Sequence, residues 1–155
     1  MVPLHGLGSD QVEKANIPDQ GIKAYYVDEH KRADAFMLQD RLLSLTNNEL
    51  DHTSIILFVL PDALAADSPW YTDVFMKLAK RGFLSLFCID EAHSIAQAGR
   101  CFRTEFVDAV ANAKTMLDTI PHPVPRVIMS ATLRSTDQST CTTLLGGGGS
   151  KCHAR

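Results

Sequence analysis

The sequence lacks any marked excess of charge. Its 15 lysines and arginines face 18 aspartates and glutamates, a formal net charge of −3. No overall basic field announces a nucleic-acid partner, so such a contact would need a local patch. Paired C-x-x-C spacing is also missing among the four cysteines, Cys88, Cys101, Cys141 and Cys152. That spacing favours reduced thiols in a nuclear or cytoplasmic protein over a disulfide framework. A zinc site from Cys141, Cys152 and His153 would have to form in a Gly/Ser/Thr-rich tail, a poor setting for it. The opening "MVPLHGLGSD" has neither the basic start nor the apolar core of a secretory leader. The longest apolar run, "SIILFVLPDALAA", is too short and interrupted to cross a membrane, so no membrane partner is expected.

What is present is an alternation of strand-like and helix-like segments in a chain of 155 residues, the length of one domain. Ser9 and Asp10 predict a helix start, as cap and first-turn acid, for "SDQVEKAN". "IKAYYV" (Ile22–Val27) reads as a strand from its aromatic and β-branched content. Ala35, Leu38, Leu42 and Leu45 share one helical face of the following segment. "SIILFVL" (Ser54–Leu60) is apolar without alternation, the pattern of a strand covered on both faces. Ser68 and Pro69 predict a helix start, with Trp70, Val74 and Leu78 turned inward and an end near Gly82. "LSLFCI" (Leu84–Ile89) and "RVIM" (Arg126–Met129) read as buried strands, and Phe106, Val110, Ala113 and Leu117 mark a helix face between them. The expected fold class is α/β, a parallel sheet with helices on both faces. Residues 1–134 form the expected domain, and residues 135–155, with "GGGGS", read as a flexible tail outside the packed core.

In an open α/β sheet, ligands gather at the carboxyl ends of the strands. Asp90, Glu91 and His93 follow Ile89 at one such end, and Ser130 and Thr132 follow Met129 at another. An Asp there can hold Mg²⁺ through its waters, and a neighbouring Glu can orient or deprotonate an attacking water. A bare Asp-Glu pair can equally open a loop and cap the next helix. His93 can be a surface histidine, Phe102 a core aromatic, and Ser130 and Thr132 turn formers.

"DEAH" followed by "SAT", each after an apolar strand, resembles the superfamily 2 helicases. The ordered set "VPLHGLGSDQV", "RGFLSLFCIDEAHSIAQAGRCFR" and "VIMSATL", from Val2 to Leu133, resembles the first RecA-like lobe of a RecQ-type DNA helicase. That resemblance implies a P-loop NTPase fold truncated at its amino end, with ATP and Mg²⁺ as cofactors and single-stranded or forked DNA as partner. It implies that Asp90 organises the metal, that Glu91 acts on the attacking water, and that His93 links the nucleotide to neighbouring elements. Gln97 would sense DNA, and Ser130 and Thr132 would couple hydrolysis to strand movement. Phe102 and Arg103 would meet single-stranded DNA, where an aromatic face and a guanidinium suit unstacked bases. Pro3, Leu4, Asp10 and Gln11 match a DNA-proximal motif of the family, and Pro61–Asp62 stands where the family has Pro-Glu, or forms an ordinary turn.

The chain departs from that family at several points. No stretch fits G-x-x-x-x-G-K-[ST], the loop whose amides and lysine hold phosphates, and "GGGGSK" has its parts in the wrong order. The resemblance places that loop shortly before Val2, so the chain is expected to start just after it. A second lobe, with the arginine worth about 10³–10⁵ in rate in related phosphoryl transfer, is not in the sequence. Ala98 replaces the family's tryptophan, and Arg100 and Cys101 replace its His-Asp. Losing a stacking platform costs about 1–3 kcal/mol per base. The expected function is therefore a helicase fragment with weak or no ATP hydrolysis on its own. The alternatives are a non-catalytic helicase-derived module that binds nucleic acid or a protein, and an unrelated α/β hydrolytic or metal-binding domain. If the strand before Val2 is central to the sheet, its neighbours' ladder edges would stand uncovered.

Overall fold

A computed structural model describes residues 5–16, 21–27, 32–92, 104–130, 143 and 151–154. Strands β1 (Ile22–Val27) and β2 (Ser54–Val59) pair in parallel from Ile22↔Ser54 to Val27↔Val59. Strand β3 (Phe87–Ile89) pairs in parallel with β4 (Arg126–Ser130), and β4 with β5 (Lys151–Ala154). The chain is thus mixed α/β with small parallel sheets, one of two strands and one of three, rather than the single continuous sheet expected. β5 falls in the segment expected to lie outside the packed core; its residues, Lys-Cys-His-Ala, carry no apolar run that would announce a strand.

Helix α1 (His5–Ala15) starts ahead of Ser9, which lies inside the helix instead of capping it, and Asp10 is not in its first turn. At its far end Asn16 closes on β1: Asn16 Nδ2 donates to Ala24 O at 3.0 Å, and Ala24 N donates to Asn16 Oδ1 at 2.8 Å. One side-chain amide thereby satisfies both polar groups of a strand residue, as a neighbouring strand would.

Helix α2 (Arg32–Leu43) buries Leu42 and half-buries Ala35 and Leu38; the buried Leu45 lies just past its end. Short α3 (Asn47–Leu50) is held by a capping box, in which Thr46 Oγ1 accepts from Glu49 N and Glu49 Oε2 accepts from Thr46 N. Next comes a 3₁₀ turn at Pro61–Leu64. Ser68 Oγ then accepts from Trp70 N at 3.2 Å, so Ser68 caps the next helix with Pro69 at its first position. That helix opens as a π-helical segment (Trp70–Phe75) and continues as α4 (Met76–Lys80). Trp70, Val74 and Leu78 are buried as expected. Its end is a Schellman turn: Gly82 N donates to Ala79 O at 2.9 Å and Phe83 N to Leu78 O at 3.0 Å, with Gly82 at φ +75°. Arg81 reaches back to the carbonyls of Leu43 and Leu45 and lies 4.2 Å over the Phe83 ring.

Helix α5 (Thr104–Asp118) carries the longest apolar face, with Phe106, Val110, Ala113 and Leu117 all buried. Tyr71 Oη donates to Asn112 O at 3.1 Å, and Asn112 Nδ2 donates to Leu64 O at 2.9 Å, which locks α5 onto the π-helical segment and the 3₁₀ turn. One core cluster unites the helices with Val27 and Val59 from the first sheet and Ile89 and Ile128 from the second.

β2 and β3 belong to different sheets and share no ladder. Among the described residues each has a strand on one side only. β2 is correspondingly less covered than its apolar run predicts, with Ile56 38% exposed and only Val59 fully buried. β3 is three residues long where six were expected, and Leu84–Leu86 stay outside the ladder.

Two predictions follow from this frame. Small sheets, of two and three strands among the described residues, make a marginally stable chain, so heating should give a low melting temperature with aggregation; cooperative, reversible melting above about 90 °C would contradict this. Asp118 accepts from Lys114 Nζ at 2.6 Å and from Arg126 Nη2 at 2.9 Å, and these bonds, the lysine's first, hold its carboxyl below the usual aspartate range. The stabilisation is complete above the unfolded-chain value near about 3.9 and fades as pH falls through the lower folded value. Asp118→Asn should therefore cost a constant amount, below about 1 kcal/mol for so exposed a group, from pH about 5 to 7, and the gap should close in stronger acid. Denaturant melts across that range would check it.

Candidate functional site

The candidate site is assembled by the β3–β4 ladder. The register Phe87↔Arg126, Cys88↔Val127, Ile89↔Ile128 brings the carboxyl ends of both strands to one level. Ile89 and Ile128 are fully buried beneath that end, so the residues that follow are carried on a packed base. Ala92 N donates to Met129 O at 3.0 Å, which extends the pairing past β3 and sets Asp90 and Glu91 beside the end of β4. Ser130 is the last residue of β4 and is 6% exposed.

Asp90 and Glu91 are both half-buried. Asp90 Oδ1 accepts from Glu91 N at 2.9 Å, a local turn that fixes the Asp90 carboxylate. Glu91 stands at φ +53°, the left-handed region that a side chain with a Cβ adopts only at a cost of about 1–2 kcal/mol. Such strain persists where neighbouring contacts over-determine it, and it gathers at functional sites. Here the constraint is visible: Ile89 is locked in the ladder and Ala92 is tied to Met129, so the turn between them must be tight.

A cavity of about 950 Å³ opens beside this turn, between β2 and β3. Asp90 lines it, and so does Gln11 of α1. Gln11 Oε1 is buried and finds no hydrogen-bond partner among the described residues. The structure therefore brings together two of the residues singled out in the sequence, on one cavity. Glu91 and Ser130 lie at the same strand ends but not in its lining. Pro3, His93, Gln97, Phe102, Arg103 and Thr132 lie outside the described residues. Pro61–Asp62 belongs to the 3₁₀ turn and lines a separate cleft with Asp67, Glu105 and Asp108.

Sequence reasoning missed Cys88 as a cavity residue. Its thiol is pushed up by burial, with Asp90 adding to the rise, so it stays protonated at neutral pH. Its place beside Asp90 within an apolar strand was the available signal. Among the described residues no three His, Cys, Asp or Glu side chains cluster as a metal cage, and no helix is long and apolar enough to cross a membrane.

The strain at Glu91 can be measured. Glu91→Gly and Glu91→Ala both remove the carboxylate, but only glycine relieves the positive φ, so the glycine variant should be more stable than the alanine variant by about 1 kcal/mol. Equal denaturant midpoints would show that the turn stores no strain.

No family model matches the chain. Part of it resembles the RecQ-like DNA helicase blm-1 of Caenorhabditis elegans, with 34% identity over 77 residues. The match takes in 50% of this chain and 7% of that protein's length. With an aspartate–glutamate pair at the carboxyl end of a parallel strand and a partial likeness to a RecQ-like DNA helicase, the chain contains a helicase-related region.

Proposed function

We propose that the chain is part of the first RecA-like, ATP-binding lobe of a RecQ-type 3′–5′ DNA helicase. The observation that carries this reading is the partial likeness to a RecQ-like DNA helicase. It is supported by the place of Asp90, Glu91 and Ser130, where α/β sheets gather ligands.

Mg²⁺ needs no cage of protein ligands, since it keeps several waters and completes its shell from one or two carboxylates and the substrate phosphates. Asp90 fits that demand: it is half-buried, its Oδ1 is committed to Glu91 N, and its other oxygen would face the metal's waters. When bound, Mg²⁺–ATP supplies a phosphoryl group whose developing charge the metal offsets. Glu91, presented by its left-handed backbone, would accept a proton from the attacking water. Ser130 and Thr132 would hydrogen-bond across the strand ends and carry the change toward DNA, with His93 and Gln97 between them. Phe102, Arg103, Gln97, Pro3 and Gln11 would form the face toward single-stranded DNA.

The residues that grip ATP's phosphates are not in this sequence, which has no G-x-x-x-x-G-K-[ST]. On its own the chain would hydrolyse ATP weakly or not at all. The same fact favours a second reading, a non-catalytic helicase-derived module that binds nucleic acid or a protein.

An exchange experiment separates them. The matched region of the C. elegans helicase would be replaced by this chain's, and ATP turnover measured with and without single-stranded DNA. The helicase reading expects DNA-stimulated turnover that Glu91→Gln lowers by about 10²-fold or more. A folded chimera without stimulated turnover that still binds single-stranded DNA would reject the catalytic reading in favour of the module.

A further inference from the structure

The strained turn at Glu91 needs a reason, and the hydrogen bond beside it supplies one. Ile89 is held in the ladder opposite Ile128, and Ala92 N donates to Met129 O at 3.0 Å. Between those two fixed points lies the peptide group that joins Asp90 to Glu91. Such a group can rotate while its flanking residues stay in place, as type I and type II turns do, and positive φ belongs to one orientation only. Here it takes the strained orientation, with Glu91 at φ +53°. In that orientation Glu91 N donates to Asp90 Oδ1 at 2.9 Å. The relaxed orientation would turn the N–H away and bring the Asp90 carbonyl oxygen toward the carboxylate, where two acceptors repel. Strain and hydrogen bond are thus linked, and losing one loses the other.

We propose that this left-handed turn is a metal-orienting device, in which the backbone N–H of Glu91 holds the Asp90 carboxylate at the angle that receives a divalent cation. The inference rests on the reading of Asp90 as the carboxylate for Mg²⁺ and adds what sets its direction. A carboxylate free to rotate must be ordered before it can serve a cation. A hydrogen bond to one oxygen orders it and leaves the other oxygen for the metal's waters. Outer partners of this kind are worth about 10- to 100-fold in metal affinity. The hydrogen bond to a charged acceptor is strong enough to offset the strain of a left-handed glutamate, so the orientation depends on the Asp90 carboxylate. The coupling is reciprocal by linkage. With Asp90 loaded, Glu91 is held more firmly in its left-handed presentation, so the residue proposed to accept water's proton is aimed by the same event that loads the metal. The backbone of Glu91 carries this effect, not its side chain. Substitutions at that position that keep the N–H and change the cost of positive φ should therefore tune metal affinity.

The test uses the full chain and Mn²⁺ alone, an oxygen-seeking divalent cation whose paramagnetism broadens nearby amide signals. Titrations follow the Ala92 amide by NMR in the parent chain, in Glu91→Gly, Glu91→Ala and Glu91→Val, and in Asp90→Asn. Glycine takes positive φ freely, alanine at a cost, and branched valine at a greater one. Mn²⁺ affinity should fall from the glycine variant through the alanine to the valine variant, with at least about fivefold between first and last. All three lack the Glu91 carboxylate, so the order reads the backbone alone. Should the valine variant fail to fold, the glycine and alanine pair makes the same comparison, about twofold or more apart. Asp90→Asn should abolish the broadening. Equal affinities across the Glu91 variants would overturn the proposal and leave the helicase reading standing. Absence of broadening at Ala92 in the parent chain, or broadening that survives Asp90→Asn, would overturn both the proposal and the assignment of Mg²⁺ to Asp90.

Discussion

Backbone amides in a β-strand require partners on both sides, and among the described residues β2 and β3 each find a partner strand on one side. The rest of the architecture follows from that constraint. Without a shared ladder, the two sheets are joined through side chains, and the helices between them carry the load. α5 does most of this work: its buried face meets the 3₁₀ turn after β2, and its last residue, Asp118, is bonded to Arg126 at the start of β4. Arg81 performs a related task for α2 and α4, since its guanidinium takes up carbonyls past the end of α2 and stacks on Phe83. Packing of this kind is strong but does not impose the strand-by-strand register that a continuous sheet would.

The site inherits its geometry from the β3–β4 side of that divide. β3 is short, yet its three paired residues and the Ala92–Met129 bond hold the Asp90–Glu91 turn at both ends. The left-handed backbone at Glu91 is the outcome. A glycine would adopt that conformation at no steric cost, so the presence of glutamate means that the side chain is retained against a local penalty. Residues kept under strain are those for which the alternative, a relaxed turn, fails some other demand.

Much of the frame was legible in the sequence. β1, β2, β4 and the face of α5 are announced by apolar runs or helical spacing long enough to outvote local accidents, and Ser68-Pro69 marked a real cap. Three features were not legible, for different reasons. Ser9 looked like a cap, but a good capping residue is also tolerated inside a helix when the turn before it is helical. β5 has no strand composition; its pairing with β4 is a tertiary fact that four residues of sequence cannot signal. The shortness of β3 depends on what flanks Leu84–Leu86 in space, since an apolar segment becomes a strand only where a ladder receives it. At the site, the Asp-Glu pair and its strand-end position could be read directly. The turn's handedness and the orphaned Gln11 oxygen could not, because both arise from contacts between distant segments.

The Asn16 bridge has a consequence for how such a chain can associate. Its amide occupies both backbone groups of Ala24 on the outer side of β1, and β5 occupies the outer side of β4. The outer margin of β1 is thus blunted at Ala24, and that of β4 is taken up by β5. A sheet margin with free amides and carbonyls can add a strand from another copy. Ala24 offers no such free pair, and one small polar side chain at the end of α1 is the reason.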